Sequence, residues 1–391
     1  MNTSKIVYCD NNATTSVSAE VLEVMLPFFQ QYYGNPSSLY PFGGQLAAEI
    51  NKTREKIAEL IGARLDLEIY FTSGATESNN MAIQGALKAQ PEKKHIVISS
   101  VEHESILHLA DDLETQGYEV SRISVDHSGQ LNLKELKESI RPDTAIVSIM
   151  IANNETGVVF PIQKISEIVK DEGALFHTDA VQALGKIPVN VSEMPVDLLS
   201  ASSHKLHGPK GVGILYVRRG TRLKPLIIGG QQERGRRGGT ENVPAIIGLG
   251  KAAELASGFL KEGMSYISDL RDELEQGIVS KIPMAQINGR DAQRLPNTTN
   301  ISFEGVEGEA VLLALNELGV CASSGSACAS GKFEPSHVLQ AMGVPDHLGH
   351  GSLRFSLGRY NIPEDVEIII QELPEIVQRL RNMTPSKVQQ Y

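Results

Sequence analysis

Short β-branched and apolar runs alternate with stretches of helical spacing between about Leu67 and Val217. Several of these runs lack an alternation of apolar and polar residues, as expected for strands that helices cover on both faces. The alternation of strand and helix predicts an α/β fold with a largely parallel sheet. The predicted strands are Glu68–Thr72, His95–Ser99, Glu119–Ser124, Ala145–Ile149, Ala174–His177, Val196–Ser200 and Gly213–Val217.

The pattern changes in the last third of the chain, where a second domain is predicted to begin. Apolar residues at spacings of three and four predict one face of a long helix. They are Met264, Ile267, Leu270, Leu274 and Ile278. The elements that follow are a strand at Thr299–Phe303, a helix at Glu309–Leu318, a loop rich in Gly and Ser, a strand at Ser352–Ser356 and a closing helix from Pro363 to Arg381.

The composition is that of a globular protein: 391 residues, 41% of them apolar, are enough to bury a substantial core. A formal net charge of −11 and a pI near 5.5 argue against a general attraction to nucleic acid or to anionic membrane surfaces. We expect no secretory signal, and no apolar run approaches the length of a membrane span. Small ligands or protein partners are therefore expected.

Three cysteines, Cys9, Cys321 and Cys328, are an odd number at irregular spacing. This argues against a secreted disulfide framework and predicts a reducing, cytoplasmic setting. Cys9 and Cys321 fit packing positions. Cys328 lies in the small-residue run from Ser323 to Gly331, a context that disfavours burial. Such a loop suits a thiol that must attack a substrate at one place and deliver the transferred group at another. Local sequence alone does not distinguish a reactive Cys328 from an inert one.

Two segments suit a phosphate group. Thr72 to Asn80 follow a predicted strand and open a predicted helix, so free backbone N–H groups and small hydroxyls converge there. A helix cap without a ligand explains that pattern equally well. The basic run from Gln232 to Asn242, with Thr240 before a helix-like stretch, is the second candidate. Local sequence favours a flexible, solvated charge run there.

A carboxylate and a lysine follow two neighbouring predicted strands. Asp179 is expected at the carboxyl edge of the sheet, where it can face a ring nitrogen, although a helix cap is the better local interpretation. Lys205 and Lys210 lie after the next strand. Pyridoxal phosphate needs a lysine amine, a carboxylate and an anion cradle, and the sequence offers all of them. Composition does not separate the two lysines, but Lys205 directly follows the strand and is preferred.

Arg354 interrupts an apolar, strand-like run, where an unpaired guanidinium is costly. A carboxylate partner is therefore expected. It is either a structural Asp or Glu, or a substrate carboxylate gripped by two hydrogen bonds.

Over nearly its whole length, the chain resembles the cysteine desulfurases of the class V aminotransferase family. The motifs that carry the resemblance occur in family order: Asp10-Asn11-Asn12-Ala13-Thr14-Thr15, Gly34-Asn35-Pro36-Ser37-Ser38, Ser73-Gly74-Ala75-Thr76-Glu77-Ser78-Asn79, Asn153-Asn154-Glu155-Thr156-Gly157, His204-Lys205 and Ser324-Gly325-Ser326-Ala327-Cys328. The start at Asp10, the loop at 236–242 and the ending at Tyr391 resemble the nitrogen-fixation type more than the housekeeping type.

The resemblance implies the fold of pyridoxal-phosphate-dependent transferases such as aspartate aminotransferase. In that fold, a large cofactor-binding domain with a mostly parallel sheet covers residues 16–258. A smaller α+β domain, built from residues 1–15 and 259–391, carries the catalytic cysteine loop. A homodimer is also implied.

The resemblance further implies roles for individual residues. Lys205 holds the cofactor covalently, Asp179 pairs with its ring nitrogen and His103 stacks on the ring. Gln182 and Asn154 contact the region of the ring hydroxyl, and Asn154 and Arg354 bind substrate. The phosphate cradle consists of Ala75, Thr76, Ser202 and His204, with Thr240 from the other subunit.

The implied reaction converts L-cysteine to L-alanine and leaves the sulfur as a persulfide on Cys328 for iron–sulfur assembly, in a role related to nitrogenase. Lys205 or His103 moves protons. The acceptor is an iron–sulfur scaffold or another sulfur-accepting protein. No intrinsic metal site is expected, although Cys328 can ligate an iron–sulfur cluster transiently.

Three alternatives stay open: a selenocysteine lyase, a class V aminotransferase, and a non-catalytic sulfur carrier or scaffold. An aminotransferase needs an oxo-acid acceptor and has no need of Cys328. A carrier has no need of Lys205 or Asp179.

Overall fold

The computed structural model describes residues 6–324 and 335–383. Its strands are β1 Val7–Tyr8, β2 Ile69–Thr72, β3 His95–Ser99, β4 Glu119–Ile123, β5 Thr144–Ser148, β6 Leu175–Asp179, β7 Leu198–Ser202, β8 Gly213–Val217, β9 Ala285–Ile287, β10 Thr298–Phe303, β11 Val320–Cys321, β12 Ser323–Ser324 and β13 Ser352–Ser356. Its α-helices are α1 Ala19–Met25, α2 Pro27–Gln30, α3 Pro41–Ile61, α4 Ala75–Ala89, α5 Glu104–Thr115, α6 Leu133–Ser139, α7 Ile162–Asp171, α8 Val243–Glu262, α9 Met264–Lys281, α10 Gly308–Glu317, α11 His337–Ala341, α12 Asp346–Gly349 and α13 Pro363–Met383.

The main sheet has the strand order β2-β8-β7-β6-β5-β3-β4 within the described residues. The strands from β4 to β7 pair in parallel, whereas β8 is antiparallel to both of its neighbours. The strands β3, β5, β7 and β8 are buried along their whole length, which explains why their sequences do not alternate regularly between apolar and polar residues. The predicted α/β fold is confirmed, with strand ends that differ from the prediction by up to two residues.

A smaller antiparallel sheet has the order β12-β13-β10-β9 and packs against α9 and α10, and α13 packs against these two helices. Its apolar side chains form a core cluster separate from those of the main sheet, and this cluster includes Val7 and the buried Cys9 near the amino terminus. The predicted helix from Met264 and the predicted strand at Ser352–Ser356 are both present. The domain limits at residues 15 and 258 stay a prediction.

The helix α8 corrects one expectation. By length and composition alone it is long and apolar enough to cross a membrane. The expectation that no apolar run approaches the length of a membrane span is therefore wrong. About half of this stretch is buried, and the helix packs against α1 and α3. A core position explains its composition, and one such helix is weak evidence for a membrane span.

The strand β2 lies at an edge of the main sheet, and its free backbone groups are covered by side chains. Arg54 of α3 donates to the carbonyl of Ile69 at 2.7 Å, and a carboxylate oxygen of Glu233 accepts from the amide of Phe71 at 2.9 Å. Arg54 and Glu233 also form a buried ion pair through two hydrogen bonds. The ion pair therefore closes the sheet edge and fixes the loop that leads to Thr240.

This loop also corrects an expectation. Local sequence favoured a flexible, solvated charge run, but its arginines have partners in the chain. Arg234 donates to the carbonyls of Leu67 and Ile69, and Arg237 pairs with Glu77 in the first turn of α4. The guanidinium of Arg236 lies over the ring of Tyr70.

The buried ion pair gives the first testable prediction. Glu233→Gln removes the carboxylate and leaves the Arg54 guanidinium buried without a counter-charge, which is expected to lower the free energy of unfolding by about 3 kcal/mol. Chemical denaturation followed by circular dichroism measures this change.

Glu254→Gln is the matched control, because Glu254 pairs with Lys56 of the same helix α3 at the surface. The control is expected to change the free energy of unfolding by less than about 1 kcal/mol. Equal effects of the two variants would show that the buried pair does not hold the sheet edge.

Candidate active site

A cavity of about 560 Å³ opens at the carboxyl ends of the parallel strands. Ligands bind at this edge in open α/β sheets because the loops that leave the strands converge there. Most of the residues singled out from sequence line it: Ala75, Thr76, His103, Asn154, Asp179, Gln182, Ser202, His204, Lys205 and Arg354. Thr240 is exposed and is not among the lining residues, and Cys328 lies outside the described residues.

Lys205 lies in a short 3-10 helix directly after β7. Its Nζ donates to the backbone carbonyls of Asn12 and Ala13, the latter at 2.6 Å. Burial lowers the pKa of this amine to about 8, and the nearby Arg354 lowers it further, while Asp10 and Asp179 act in the opposite direction. A sizeable fraction of the amine is therefore uncharged near neutral pH, as a nucleophilic lysine requires.

Lys210 lines the same cavity and donates to the carbonyl of Thr15 at 2.8 Å. The cavity therefore contains both lysines that the sequence left as alternatives. Lys205 differs in lying in the short helix that directly follows β7, whereas Lys210 precedes β8.

Asp179 is the last residue of β6 and is buried at the cavity wall. Its Oδ1 accepts from the amide of Val181 at 2.8 Å, so it does cap the following turn. Its Oδ2 accepts from Asn79 Nδ2 at 2.8 Å. No cation forms a salt bridge with Asp179 in the described part of the chain, so the carboxylate can receive one from a ligand.

His103 is linked to Asp179 through two polar side chains. The amide of Ser105 donates to His103 Nδ1, which makes Nδ1 an acceptor and assigns a neutral ring's proton to Nε2. Ser105 Oγ lies 2.9 Å from His103 Nδ1 and accepts from Asn79 Nδ2 at 3.0 Å. Asn79 thus holds Asp179 and, through Ser105, the ring of His103.

Glu102, directly before His103, is fully buried. Burial raises the pKa of its carboxyl to about 8, and the negative charge of Asp179 contributes. The protonated form therefore predominates near neutral pH. It adds no negative charge close to Asp179.

The start of α4 forms an anion cradle. Its N-cap is Gly74, which has no side chain to accept from the first N–H groups of the helix, so capping by a side chain does not explain this turn. The strand β8 approaches closely at Gly213, where a Cβ would lie 2.8 Å from the Cα of Gly74. Ser202 and His204 line the cavity at the same edge. The arrangement suits a phosphate.

His204 is a neutral member of this cradle. Burial lowers the pKa of its ring to about 4, and Lys205 and Lys210 contribute to the lowering. Its Nδ1 lies 3.1 Å from Thr14 Oγ1. At neutral pH the ring therefore offers one N–H donor and carries no charge.

Arg354, in β13, has the carboxylate partner that its burial requires. Its Nη2 pairs with Asp10 Oδ1 at 2.7 Å, and its Nη1 donates to the carbonyl of Asn154 at 3.0 Å. Its buried Nε has no hydrogen-bond partner among the residues that the structure describes. The guanidinium is thus oriented by a structural carboxylate and still has donor capacity at the cavity.

Sequence reasoning assigned no role to Asn12 or Lys186, although both are central to the site. Asn12 accepts from Lys186 at its Oδ1 and from Lys205 at its backbone oxygen, and it donates to Thr298 Oγ1 at 2.9 Å. The Asp10-Asn11-Asn12 motif was a usable signal for Asn12. Lys186 gave no such signal, because a lysine in a turn is usually solvated.

These residues fit pyridoxal phosphate, the cofactor that the family implies. Lys205 would supply an amine for its aldehyde, Asp179 a carboxylate for its ring nitrogen, and the turn at Gly74 a cradle for its phosphate. Arg354, which lines the same cavity, would add guanidinium N–H donors for a carboxylate of the substrate.

Comparisons with known proteins agree with this geometry. The family model of Aminotransferase class-V matches residues 7–369. A cysteine desulfurase of Trichormus azollae is 56% identical over 98% of this chain and 95% of its own length. The cysteine desulfurase NifS of Azotobacter vinelandii is 52% identical over 97% of this chain and 94% of its own length.

A solved structure described as a NifS-like protein superposes with a TM-score of 0.90 at 39% identity, covering 96% of this chain and all of the other. The predicted fold of pyridoxal-phosphate-dependent transferases is therefore confirmed. The chain belongs to the class V aminotransferase family and, within it, to the cysteine desulfurases.

Proposed function

We propose that the protein uses pyridoxal phosphate on Lys205 to take sulfur from free L-cysteine, forms a persulfide on Cys328 and releases L-alanine. The observation that carries this proposal is the arrangement of one cavity: an amine of lowered pKa, a carboxylate without a cation, an anion cradle and a donor-rich arginine all line it. A sulfur carrier without catalysis has no use for this combination.

Arg354 and Asn154 are the residues proposed to bind the substrate. The carboxylate of cysteine is an acceptor for the guanidinium, whose Nη2 is already held by Asp10. A pre-oriented guanidinium binds a carboxylate with less loss of entropy than a mobile one does. Asp10 therefore positions Arg354 for the substrate.

The bound cofactor supplies an electron sink for the bonds around the substrate Cα. Asp179 holds a proton at the ring nitrogen. Once released, the Lys205 amine has a pKa that suits proton transfer at Cα near neutral pH, and His103 is a second group at the cavity that can carry protons. Asp179 thus stabilises the charge at the ring nitrogen, whereas Lys205 and His103 move protons.

Cys328 is proposed to attack the substrate sulfur as a thiolate. The new S–S bond forms as the Cβ–S bond of the substrate breaks, and the electron pair of that bond stays on the carbon skeleton, which takes up protons to become alanine. The described chain reaches Ser324, whose strand β12 pairs with β13 so that Ser323 lies opposite Arg354. Cys328 follows four residues after Ser324, within about 14 Å of fully extended chain. The thiol is therefore within reach of a substrate held by Arg354.

We further propose a homodimer in the cytoplasm. Large apolar side chains are exposed in and after the helices α1 and α2, a surface that a second subunit can cover: Leu26, Phe29, Tyr33, Leu39 and Tyr40. Thr240 is exposed in the loop that Arg237 ties to the first turn of α4. A dimer would let that hydroxyl reach the phosphate cradle of the other subunit.

The sulfur acceptor is proposed to be an iron–sulfur scaffold, in a role related to nitrogenase. The motifs that resemble the nitrogen-fixation type support this assignment. Transfer of labelled sulfur from the persulfide to a purified scaffold tests it directly.

Lys205→Ala is expected to abolish the visible absorption of bound cofactor, because the amine that binds the aldehyde is lost. Lys210→Ala serves as the control and is expected to keep it. If the first variant kept the absorption and the second lost it, Lys210 would be the cofactor lysine.

Cys328→Ala is expected to keep the cofactor absorption but to form no persulfide from cysteine, because the attacking thiolate is missing. Mass spectrometry of the intact protein and a sulfide assay without added thiol measure this. Sulfide release at the rate of the unaltered protein would rule out the persulfide role.

Arg354→Met is expected to raise the KM for cysteine by about 10- to 100-fold, because a charge-assisted contact to the substrate carboxylate is lost. Arg122→Met is the control, since Arg122 pairs with Asp111 and Glu114 at the surface. An unchanged KM in the Arg354 variant would place carboxylate binding elsewhere.

A further inference from the structure

Lys186 is a buried lysine that the proposed mechanism does not use. It lies in the turn after β6, and its Nζ donates to Asn12 Oδ1 at 2.8 Å and to Gln182 Oε1 at 2.6 Å. No salt bridge to Lys186 occurs within the described ranges, so neutral oxygens are its hydrogen-bond partners. Burying a lysine in this way is costly, which points to a role that offsets the cost.

The contact with Lys186 decides how the Gln182 amide is oriented. An amide presents an oxygen acceptor at one end and two N–H donors at the other, and its partners determine which end faces which way. Two N–H groups suffice for the two oxygens that Nζ contacts, so a neutral amine satisfies both. The lowered pKa of Lys186, caused by burial and by the proximity of Lys205 and Arg354, is therefore compatible with the pairing.

With its oxygen held by Lys186, Gln182 has its Nε2 group available for a ligand. That Nε2 donates to the backbone oxygen of Asn12 at 3.0 Å, the same oxygen that accepts from Lys205. Gln182 lines the cavity beside Lys205. One N–H of Nε2 is used by Asn12, so a ligand oxygen bound at Gln182 meets the other N–H, a donor that favours an anionic oxygen over a hydroxyl that must itself donate.

We propose that Lys186 is a positioning residue that locks the Gln182 amide as a hydrogen-bond donor toward an anionic ring oxygen of the cofactor. The inference rests on the proposed function, because it assumes that pyridoxal phosphate occupies the cavity. Lys186 acts through Gln182 and does not touch the cofactor.

The test is a double-mutant cycle with Lys186→Met, Gln182→Ala and the double variant. The readouts are the dissociation constant of pyridoxal phosphate added to the apo protein and the visible absorption of the complex. Lys186→Met is expected to weaken binding about tenfold and to change the visible band, because Gln182 is no longer fixed as a donor. In the Gln182→Ala background, the same substitution is expected to have no further effect.

Lys93→Met is the matched control, since the Nζ of Lys93 also donates to a neutral oxygen, the carbonyl of Thr144 at 2.9 Å, away from the cavity. It is expected to leave the dissociation constant unchanged. Equal weakening by Lys186→Met in both backgrounds would overturn the inference, because Lys186 would then act independently of Gln182.

Gln182→Glu keeps the test decisive if Lys186→Met fails to fold. This variant retains an oxygen for Lys186 but replaces the donor by a carboxylate, so cofactor binding is expected to weaken more than in Gln182→Ala. Binding as tight as in the unaltered protein would contradict the donor role. Failure of the unaltered protein to bind the cofactor would instead refute the proposed function itself.

Discussion

The site depends on one asparagine, Asn12, whose oxygens hold two lysines that have no carboxylate partner within residues 6–324 and 335–383. Its side-chain oxygen accepts from Lys186 and its backbone oxygen from Lys205. Arg354 lies close enough to lower the pKa of both lysines. Together with Arg354, which Asp10 orients, these groups place several hydrogen-bond donors at or beside the cavity, and such donors suit anionic ligands. A phosphate and a substrate carboxylate are such ligands.

Asn12 also joins the two sheets. Its backbone amide donates to Ser356 Oγ of β13 and its side-chain amide to Thr298 Oγ1 of β10, while Lys186 and Lys205 follow strands of the main sheet. The small sheet thereby brings Arg354 to the cavity. Binding of the substrate and binding of the cofactor are thus linked through the contacts of a short amino-terminal segment.

Much of this arrangement could be predicted from local sequence. Strand runs that end in polar residues predicted that Asp179 and Lys205 would lie at the same sheet edge, because parallel strands share that edge. The contacts of Asp10 and Asn12 could not be predicted in the same way. They join residues more than 100 positions apart, and no periodicity encodes such pairings.

The loop with Arg234 and Arg237 differs from its prediction, because its charged residues were expected to be solvated but have partners elsewhere in the chain. Lys186 drew no prediction, although it is buried. Local composition indicates only that a lysine or arginine is usually solvated, whereas the hydrogen bonds made here depend on specific oxygens supplied by distant segments. For Cys328, the family resemblance supports a role that the described residues neither support nor oppose.

The most direct test is to locate the cofactor on the chain. The protein is incubated with pyridoxal phosphate, reduced with borohydride to fix the cofactor to its lysine, and digested for peptide mass spectrometry. The predicted result is a phosphopyridoxyl group on Lys205. Labelling of Lys210 or Lys186 in its place, or no labelling at all, would contradict the account.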